Sequence, residues 1–143
     1  MKLLLAIVLL MISIFSSNVN GASQNIPDTP AKQEVFLGTI PTRSHGVSGK
    51  VYALDDRTII IRELYYDGQA PDAFFWIGNT DKPGVTGTAV PDENGSMKPL
   101  KGYRNAKVKL TLPFGKTIRD IKYFGLWCRA FQENFGHIKV KIR

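Results

Sequence analysis

The chain has 143 residues, of which 43% are hydrophobic and 22% charged, and its 19 basic and 12 acidic side chains give a formal net charge of +7. This length leaves room for one domain and excludes a multidomain enzyme, and the hydrophobic fraction excludes a wholly disordered chain. The single cysteine excludes a framework of intrachain disulfides.

The first 21 residues have the composition of a secretory signal peptide. Lys2 precedes thirteen uncharged, mostly apolar residues, 3–15, and a short polar stretch ends at Gly21, after which cleavage is expected. In a helix those thirteen residues would rise about 20 Å, less than the ~30 Å hydrocarbon core of a bilayer, which disfavours an uncleaved anchor. The sequence therefore predicts a signal peptide over 1–21, a secreted, extracellular product and no transmembrane segment after the signal is removed.

A short arm and a β domain are predicted to follow. Residues 22–34 contain two prolines among polar neighbours, which predicts a flexible N-terminal arm. From 35 to 143, clusters of Gly, Pro, Asn and Asp recur about every 8 to 12 residues, as expected of an all-β sandwich or barrel. No stretch has a sustained helical period, so little helix is expected. The predicted strands are 46–54, 58–66, 73–78, 107–112, 118–130 and 135–142.

Two of these strands can be oriented from their pattern. In 107–112 and 137–142 every second residue is apolar, so that one face is buried and the other meets water. Sheets with such alternation are typically antiparallel and carry a second layer on their apolar face. The sequence therefore predicts an all-β fold, a compact antiparallel β-sandwich forming a single domain over 35–143.

The charge balance indicates which partners are available. Without Lys2 the chain would carry 18 basic against 12 acidic residues, a formal charge of +6. Outside the cell this charge favours an extracellular protein or an anionic matrix, such as sulfated glycans, and nucleic acid is not expected. The alternative is a solvated face that only keeps the protein soluble. A stretch without acidic residues supplies the candidate polyanion-binding residues Lys98, Lys101, Arg104, Lys107 and Lys109.

Other motifs are weaker. Asn94 begins an Asn-Gly-Ser sequon on a predicted turn and is a candidate glycosylation site. The acidic residues match no calcium loop, and two histidines with one cysteine fall short of a four-ligand zinc site unless acids complete it, so no metal is assigned. Ser44 precedes His45, but no Gly-x-Ser-x-Gly elbow is present, so a hydrolase is not expected and no catalytic residue is assigned.

Cys128 carries most of the functional argument because a secreted chain with one cysteine must leave it free, pair it with another molecule or use it as a ligand. Its sequence neighbours are largely aromatic, and a thiol buried among rings behaves as a small, unreactive hydrophobe. Arg129 or His137, if close in space, would instead favour the thiolate. A buried core thiol, a redox-active or haem-ligating thiol and an intermolecular disulfide all remain open.

The register of the last hairpin bears on this choice. If residues 121–130 and 135–142 pair around a four-residue loop, Cys128 faces His137 on the solvated side of the sheet. A slip of one residue instead buries Cys128 and turns Trp127 outward. The sequence leaves both registers open.

Two signatures suggest a family. They are Asp-Gly-x-x-Pro-Asp at 67–72 and Trp-Cys-x-x-Phe at 127–131, and with the runs around them, 49–78 and 110–138, they resemble the opening and close of the DM-thirteen domain of Skeletor-type extracellular proteins. The resemblance spans about residues 36–142.

This resemblance implies a compact β-sandwich of a kind often found beside haem- and sugar-binding DOMON domains and cytochrome-type membrane electron carriers. It also implies that Cys128 corresponds to the family's characteristic cysteine, which has been viewed as a redox thiol or a haem ligand. No electron carrier is recognised on this sequence, which favours a secreted accessory or matrix protein.

The leading hypothesis is a secreted binding module with a redox-active or haem-associated cysteine in extracellular electron transfer, at most a redox accessory. Cys128 and His137 are the redox or ligand candidates. Asp72, Trp76 and Trp127 are candidates for lining the site, with Asp72 shaping the turn at 67–73 and Trp76 forming an apolar wall; purely structural roles are the alternative. The alternative function is a non-catalytic matrix or adhesion component that binds anionic surfaces through the basic stretch.

Overall fold

A computed structural model describes residues 30–142. The predicted signal peptide, most of the predicted arm and Arg143 lie outside the described residues. Within that range the structure contains no apolar helix of membrane-spanning length. One 3-10 turn, Ile118–Asp120, lies among eight strands: β1 Val35–Ile40, β2 Ser48–Asp55, β3 Thr58–Tyr66, β4 Ala73–Gly78, β5 Thr88–Val90, β6 Tyr103–Thr111, β7 Tyr123–Cys128 and β8 Glu133–Lys139.

The strands form two four-stranded sheets. The first sheet has the order β1-β2-β3-β6 and the second β5-β4-β7-β8, and every pair of neighbours is antiparallel. Alternate residues of both sheets meet in one apolar core between them, for example Val51 and Ile61 from the first sheet and Phe75 and Phe124 from the second. The predicted all-β antiparallel sandwich is confirmed.

The second sheet is buried on both faces. Its outer face carries a separate aromatic cluster of Phe74, Trp76, Ala89, Tyr123 and Trp127. The loop 79–87 packs on this cluster, and the indole N–H of Trp76 donates a hydrogen bond of 3.0 Å to the Gly84 carbonyl in that loop. The two central strands of this sheet, β4 and β7, therefore have continuous burial instead of alternation, and all six residues of β7 are buried.

Several strand bounds differ from the sequence prediction for identifiable reasons. β1 was not predicted because its exposure does not alternate: Val35 and Phe36 are both exposed at the edge of the first sheet. β5 has only three residues. The predicted strand 118–130 divides into the 3-10 turn and β7, and β6 begins at Tyr103, four residues before its alternating part.

Candidate functional site

Cys128 lies at the end of β7 on the inner face of the second sheet. Its relative exposure is 0%, and it belongs to the main core together with Phe124 and Leu126, which precede it at two-residue intervals. Its neighbours in the sheet are Ala73 of β4 and Glu133 of β8. The thiol therefore points between the two sheets.

The structure does not bring His137 to Cys128. His137 pairs with Gly125, whose strand neighbours Tyr123 and Trp127 belong to the outer cluster, so the imidazole and the thiol lie on opposite faces of the sheet. The first predicted register is wrong, because the connecting turn is 129–132 and a β-bulge opposite Trp127 shifts the pairing. The alternative register, slipped by one residue, correctly predicts that Cys128 is buried and that Trp127 lies on the outer face. Trp127 is nevertheless only 6% exposed.

The surroundings of His137 favour a neutral imidazole. Asn134 accepts a hydrogen bond from the Gly136 N–H through Oδ1, so its Nδ2 donates to His137 Nδ1 at 2.9 Å. Burial, and then the nearby charges of Arg43 and Lys139, lower the pKa of His137. A neutral ring held in this way is suited to the sheet surface and not to thiolate stabilisation at Cys128.

Asp72 forms an ion pair and does not shape its own turn. Its carboxylate accepts two hydrogen bonds from Arg129, at 3.1 and 3.3 Å, and its carbonyl accepts the Arg129 backbone N–H at 3.1 Å. The guanidinium lies 3.9 Å from the ring centroid of Phe74 on the outer face. Arg129 is therefore directed to Asp72, away from the thiol. The turn is held instead by Asp67, whose Oδ1 accepts the Gln69 N–H at 2.8 Å.

Trp76 and Trp127 form a wall on the other side of the sheet from Cys128. Their rings stack with centroids 6.1 Å apart and an interplanar angle of 14°. Gly87 packs directly against the Trp76 indole, where a side chain would collide with Nε1. The pair therefore anchors the loop 79–87, and the structure does not place it around the thiol.

Tyr66 shares the main core with Cys128, and sequence reasoning missed it. Burial raises the pKa of its hydroxyl, and the nearby Asp67 carboxylate acts in the same direction, whereas the hydrogen bond of 3.2 Å from the Ala70 N–H opposes them. Its ring stacks on Phe135 at 6.1 Å, and both rings contact His45, at 6.3 and 4.3 Å. Tyr66 also lines a groove of about 620 Å³ at the surface. Tyr66 therefore belongs both to the core that contains Cys128 and to the lining of this groove.

The five predicted polyanion-binding residues are all exposed, but they divide among three places. Lys98 and Lys101 line a depression that also contains Asp92 and Glu93. Arg104 lines the groove beside Tyr66. Lys107 and Lys109 alternate with buried Val108 and Leu110 and so lie on the outer face of β6. Polyanion binding by these five residues stays a prediction.

Asn94 is exposed on the predicted turn. The carboxylate of Asp92 accepts the backbone N–H groups of Asn94 and Ser96, at 2.9 and 2.8 Å, and Gly95 has a φ of 75°. The sequon is thus held in a tight, accessible loop, and its glycosylation stays a prediction.

The residues around Cys128 do not fit a haem. Iron bound to Sγ would place a porphyrin face against the sulfur, but core side chains from both sheets enclose Cys128 on the face to which it points. Between residues 30 and 142 there is also no group of three or more His, Cys, Asp or Glu side chains arranged to hold a metal ion.

Comparison with known proteins identifies the family. Residues 39–140 match the profile of the family described as "Electron transfer DM13". Two Drosophila melanogaster proteins, Skeletor isoforms B/C and Skeletor isoforms D/E, are each 49% identical to this chain over 106 residues. The match covers 73% of this chain but only 14% and 7% of those relatives. No solved structure matches. The resemblance deduced from the two signatures is thus confirmed, and the chain belongs to the DM13 family of electron-transfer domains.

Proposed function

We propose that this protein is a secreted module of extracellular electron transfer in which Cys128 gives up an electron without contacting the oxidant. The proposal is supported by the family description and above all by one observation: the fully buried thiol and Tyr66 belong to the same core, and Tyr66 lines a surface groove. A redox role is therefore assigned to the pair, not to the thiol alone.

Burial argues against thiol–disulfide exchange as the reaction. Exchange requires a thiolate that can approach a disulfide sulfur directly, which a residue with 0% exposure cannot do in the closed sandwich. Electron transfer has no such requirement, because an electron can pass between groups that are not in contact.

The proposed step balances when Tyr66 acts as a relay. A one-electron oxidant on the surface of a partner protein removes an electron from Tyr66, and the phenolic proton leaves to water in the groove. The tyrosyl radical then gains one electron and one proton, while Cys128 loses one electron and its thiol proton, so that the O–H bond of Tyr66 is restored and the S–H bond is broken. One electron and one proton have left the protein, and the product is a thiyl radical shielded by the core.

Photogenerated tris(bipyridine)ruthenium(III), which is too large to enter the core, tests the relay. The purified folded protein is oxidised, then denatured, and the remaining Cys128 thiol is titrated. We expect loss of the thiol in the wild type and a loss at least tenfold slower in Tyr66→Phe, which keeps the ring and removes only the hydroxyl. Tyr65→Phe, a change at the neighbouring exposed tyrosine, is the matched control and should behave as the wild type. A thiol that survives in the wild type, or is lost equally fast in Tyr66→Phe, contradicts the proposal.

A second candidate function, binding to an anionic matrix, is favoured by the outer face of the first sheet. There Lys50 pairs with Glu63 and Arg62 with Glu34, whereas Lys107 and Lys109 form no ion pair with any of the described residues. Two unpaired cations on one flat face attract polyanions, and the attraction weakens with salt.

Heparin chromatography tests this second candidate. The double variant Lys107→Gln/Lys109→Gln should elute at clearly lower salt than the wild type. Lys98→Gln/Lys101→Gln removes the same charge beside Asp92 and Glu93 and should elute later than the first double variant. Equal elution of the two variants would remove the case for a dedicated face.

A further inference from the structure

The groove beside Tyr66 contains an organised set of polar and aromatic side chains that the redox proposal does not use. Its volume is about 620 Å³, and its lining includes His45, Tyr65, Asp67, Gln69 and Arg104. Pockets that combine an aromatic surface with a few convergent polar groups are typical of small-ligand sites.

His45 is held in one orientation. Its Nδ1 lies 3.0 and 3.1 Å from the two carboxylate oxygens of Asp67, and its carbonyl accepts the Asp67 N–H at 3.0 Å. The ring also packs on Phe135. With Nδ1 bound to Asp67, Nε2 is the ring nitrogen left for another partner.

The backbone at this position is strained. His45 has a φ of 57° and is followed by Gly46 at 62°, two consecutive left-handed residues of which only the second is a glycine. Such a conformation is uncommon at a residue that is not glycine. Here it directs the imidazole to Asp67 at the edge of the groove.

The remaining groups complement a sugar acid. Tyr65 is 45% exposed and offers a ring face for the C–H groups of a pyranose. The Asp67 carboxylate and His45 Nε2 can accept or donate hydrogen bonds to hydroxyls. The basic side chain of the groove is Arg104, which makes no ion pair with the described residues, whereas the Asp67 carboxylate already contacts His45 Nδ1. A guanidinium binds a carboxylate in a bidentate manner.

We propose that this groove binds a hexuronic acid residue of a glycan, with its carboxylate on Arg104, its ring on Tyr65 and its hydroxyls on Asp67 and His45. This site is separate from the basic face of Lys107 and Lys109, and it does not depend on any redox chemistry at Cys128.

Titration of the whole folded protein with an unsulfated hyaluronan tetrasaccharide, followed by amide NMR shifts, tests the site. We expect shifts concentrated at Gly46, Gln69 and Gly102, three residues of the groove. The neutral chitin tetrasaccharide should bind at least tenfold more weakly, and monomeric glucuronate also at least tenfold more weakly because it fills only part of the groove. Equal affinity for either probe, or shifts elsewhere only, overturns the proposal.

Substitutions at exposed positions separate binding from folding. Arg104→Gln and Tyr65→Ser should each weaken the tetrasaccharide affinity at least tenfold with an unchanged circular dichroism spectrum. The double variant Arg119→Gln/Lys141→Gln, which removes two exposed charges outside the groove, is the control and should bind as the wild type. An unchanged affinity in Arg104→Gln overturns the role of the carboxylate, and an equal loss in the control variant overturns the assignment of binding to this groove.

Discussion

Alkylation of Cys128 measures how often the folded sandwich opens around its core. The residue has 0% exposure, so a maleimide reaches it only in an open state, and the labelling rate is that of a free thiol multiplied by the open population. If global unfolding is the only opening, a free energy of unfolding of about 5 kcal/mol, the low end for natural domains, slows labelling by more than roughly 10³-fold.

The chain offers a matched exposed position in the adjacent turn. Phe131 is 69% exposed, so Phe131→Cys in a Cys128→Ala background should react at the rate of a free thiol. Labelling of native Cys128 should in addition accelerate with urea, with the same slope as global unfolding followed by tryptophan fluorescence.

Labelling of native Cys128 within tenfold of the Phe131→Cys rate would refute this reasoning. A rate that is slow but insensitive to urea would also do so, because it would reveal a local opening of the end of β7. Either outcome would give the thiol direct access to a disulfide and restore thiol–disulfide exchange as a reaction for this site.

Three further changes test the packing and the charges. Gly125→Ala should destabilise by about 3 kcal/mol in urea unfolding, because its Cβ would lie 2.6 Å from that of His137 and collide with the backbone of β8. Asp55→Asn should lower the free energy of unfolding by about 1 kcal/mol above pH 4. Hydrogen bonds from the Thr58 hydroxyl, the Arg57 N–H and Lys32 lower the pKa of this partly exposed carboxyl from 3.8 to about 2. The difference from wild type, measured by thermal unfolding, should therefore vanish as the pH falls through 2. A double-mutant cycle on Arg129 and Asp72 should give a coupling of about 0.5–1 kcal/mol, since the arginine is half exposed, and a coupling near zero would leave stacking on Phe74 as its role.

The sequence predicted those parts of the fold in which side-chain pattern and burial agree. The strict alternation of apolar residues in 107–112 predicts one solvent-exposed and one buried face. β6 has this arrangement, and Val108 and Leu110 point into the core. The second sheet is covered on both faces, and its strands carry apolar residues at consecutive positions. Without alternation their faces could not be assigned from sequence, because the loop 79–87 that covers the outer one is distant from β7 in the chain.

The strand register of the final hairpin could not be predicted from sequence, because its β-bulge depends on contacts between distant segments. Phe135 is the unpaired residue of β8, and it packs on Tyr66 and His45 from other parts of the chain. Gly125 was the available signal: a glycine inside a strand marks a close backbone approach, and this one lies against Gly136 and His137.

The candidate site was only partly predicted, because it too depends on contacts between segments that are distant in sequence. Cys128 was identified from its chemistry alone, since a single cysteine among aromatic residues needs an explanation wherever it lies. Tyr66, which belongs to the same core, is far from it in sequence and joins that core only through the packing of the two sheets. Asp67 belongs to the family signature and could be recognised from sequence. Its hydrogen bond to His45 could not, because it joins the β1–β2 loop to the end of β3 and no local sequence pattern indicates it.

The side of the sheet on which Cys128 lies determines where a partner can act on it. Successive residues of β7 point to opposite faces, so His137 and the Trp76–Trp127 pair are separated from the thiol by the sheet itself. On the inner face, Tyr66 belongs to the same core as the thiol and lines the groove. A saccharide bound there would cover the ring through which an oxidant acts and should slow photochemical loss of Cys128 at least severalfold, whereas heparin on Lys107 and Lys109 should leave that rate unchanged. Equal protection by both polyanions would mean that the groove is not the route to the thiol.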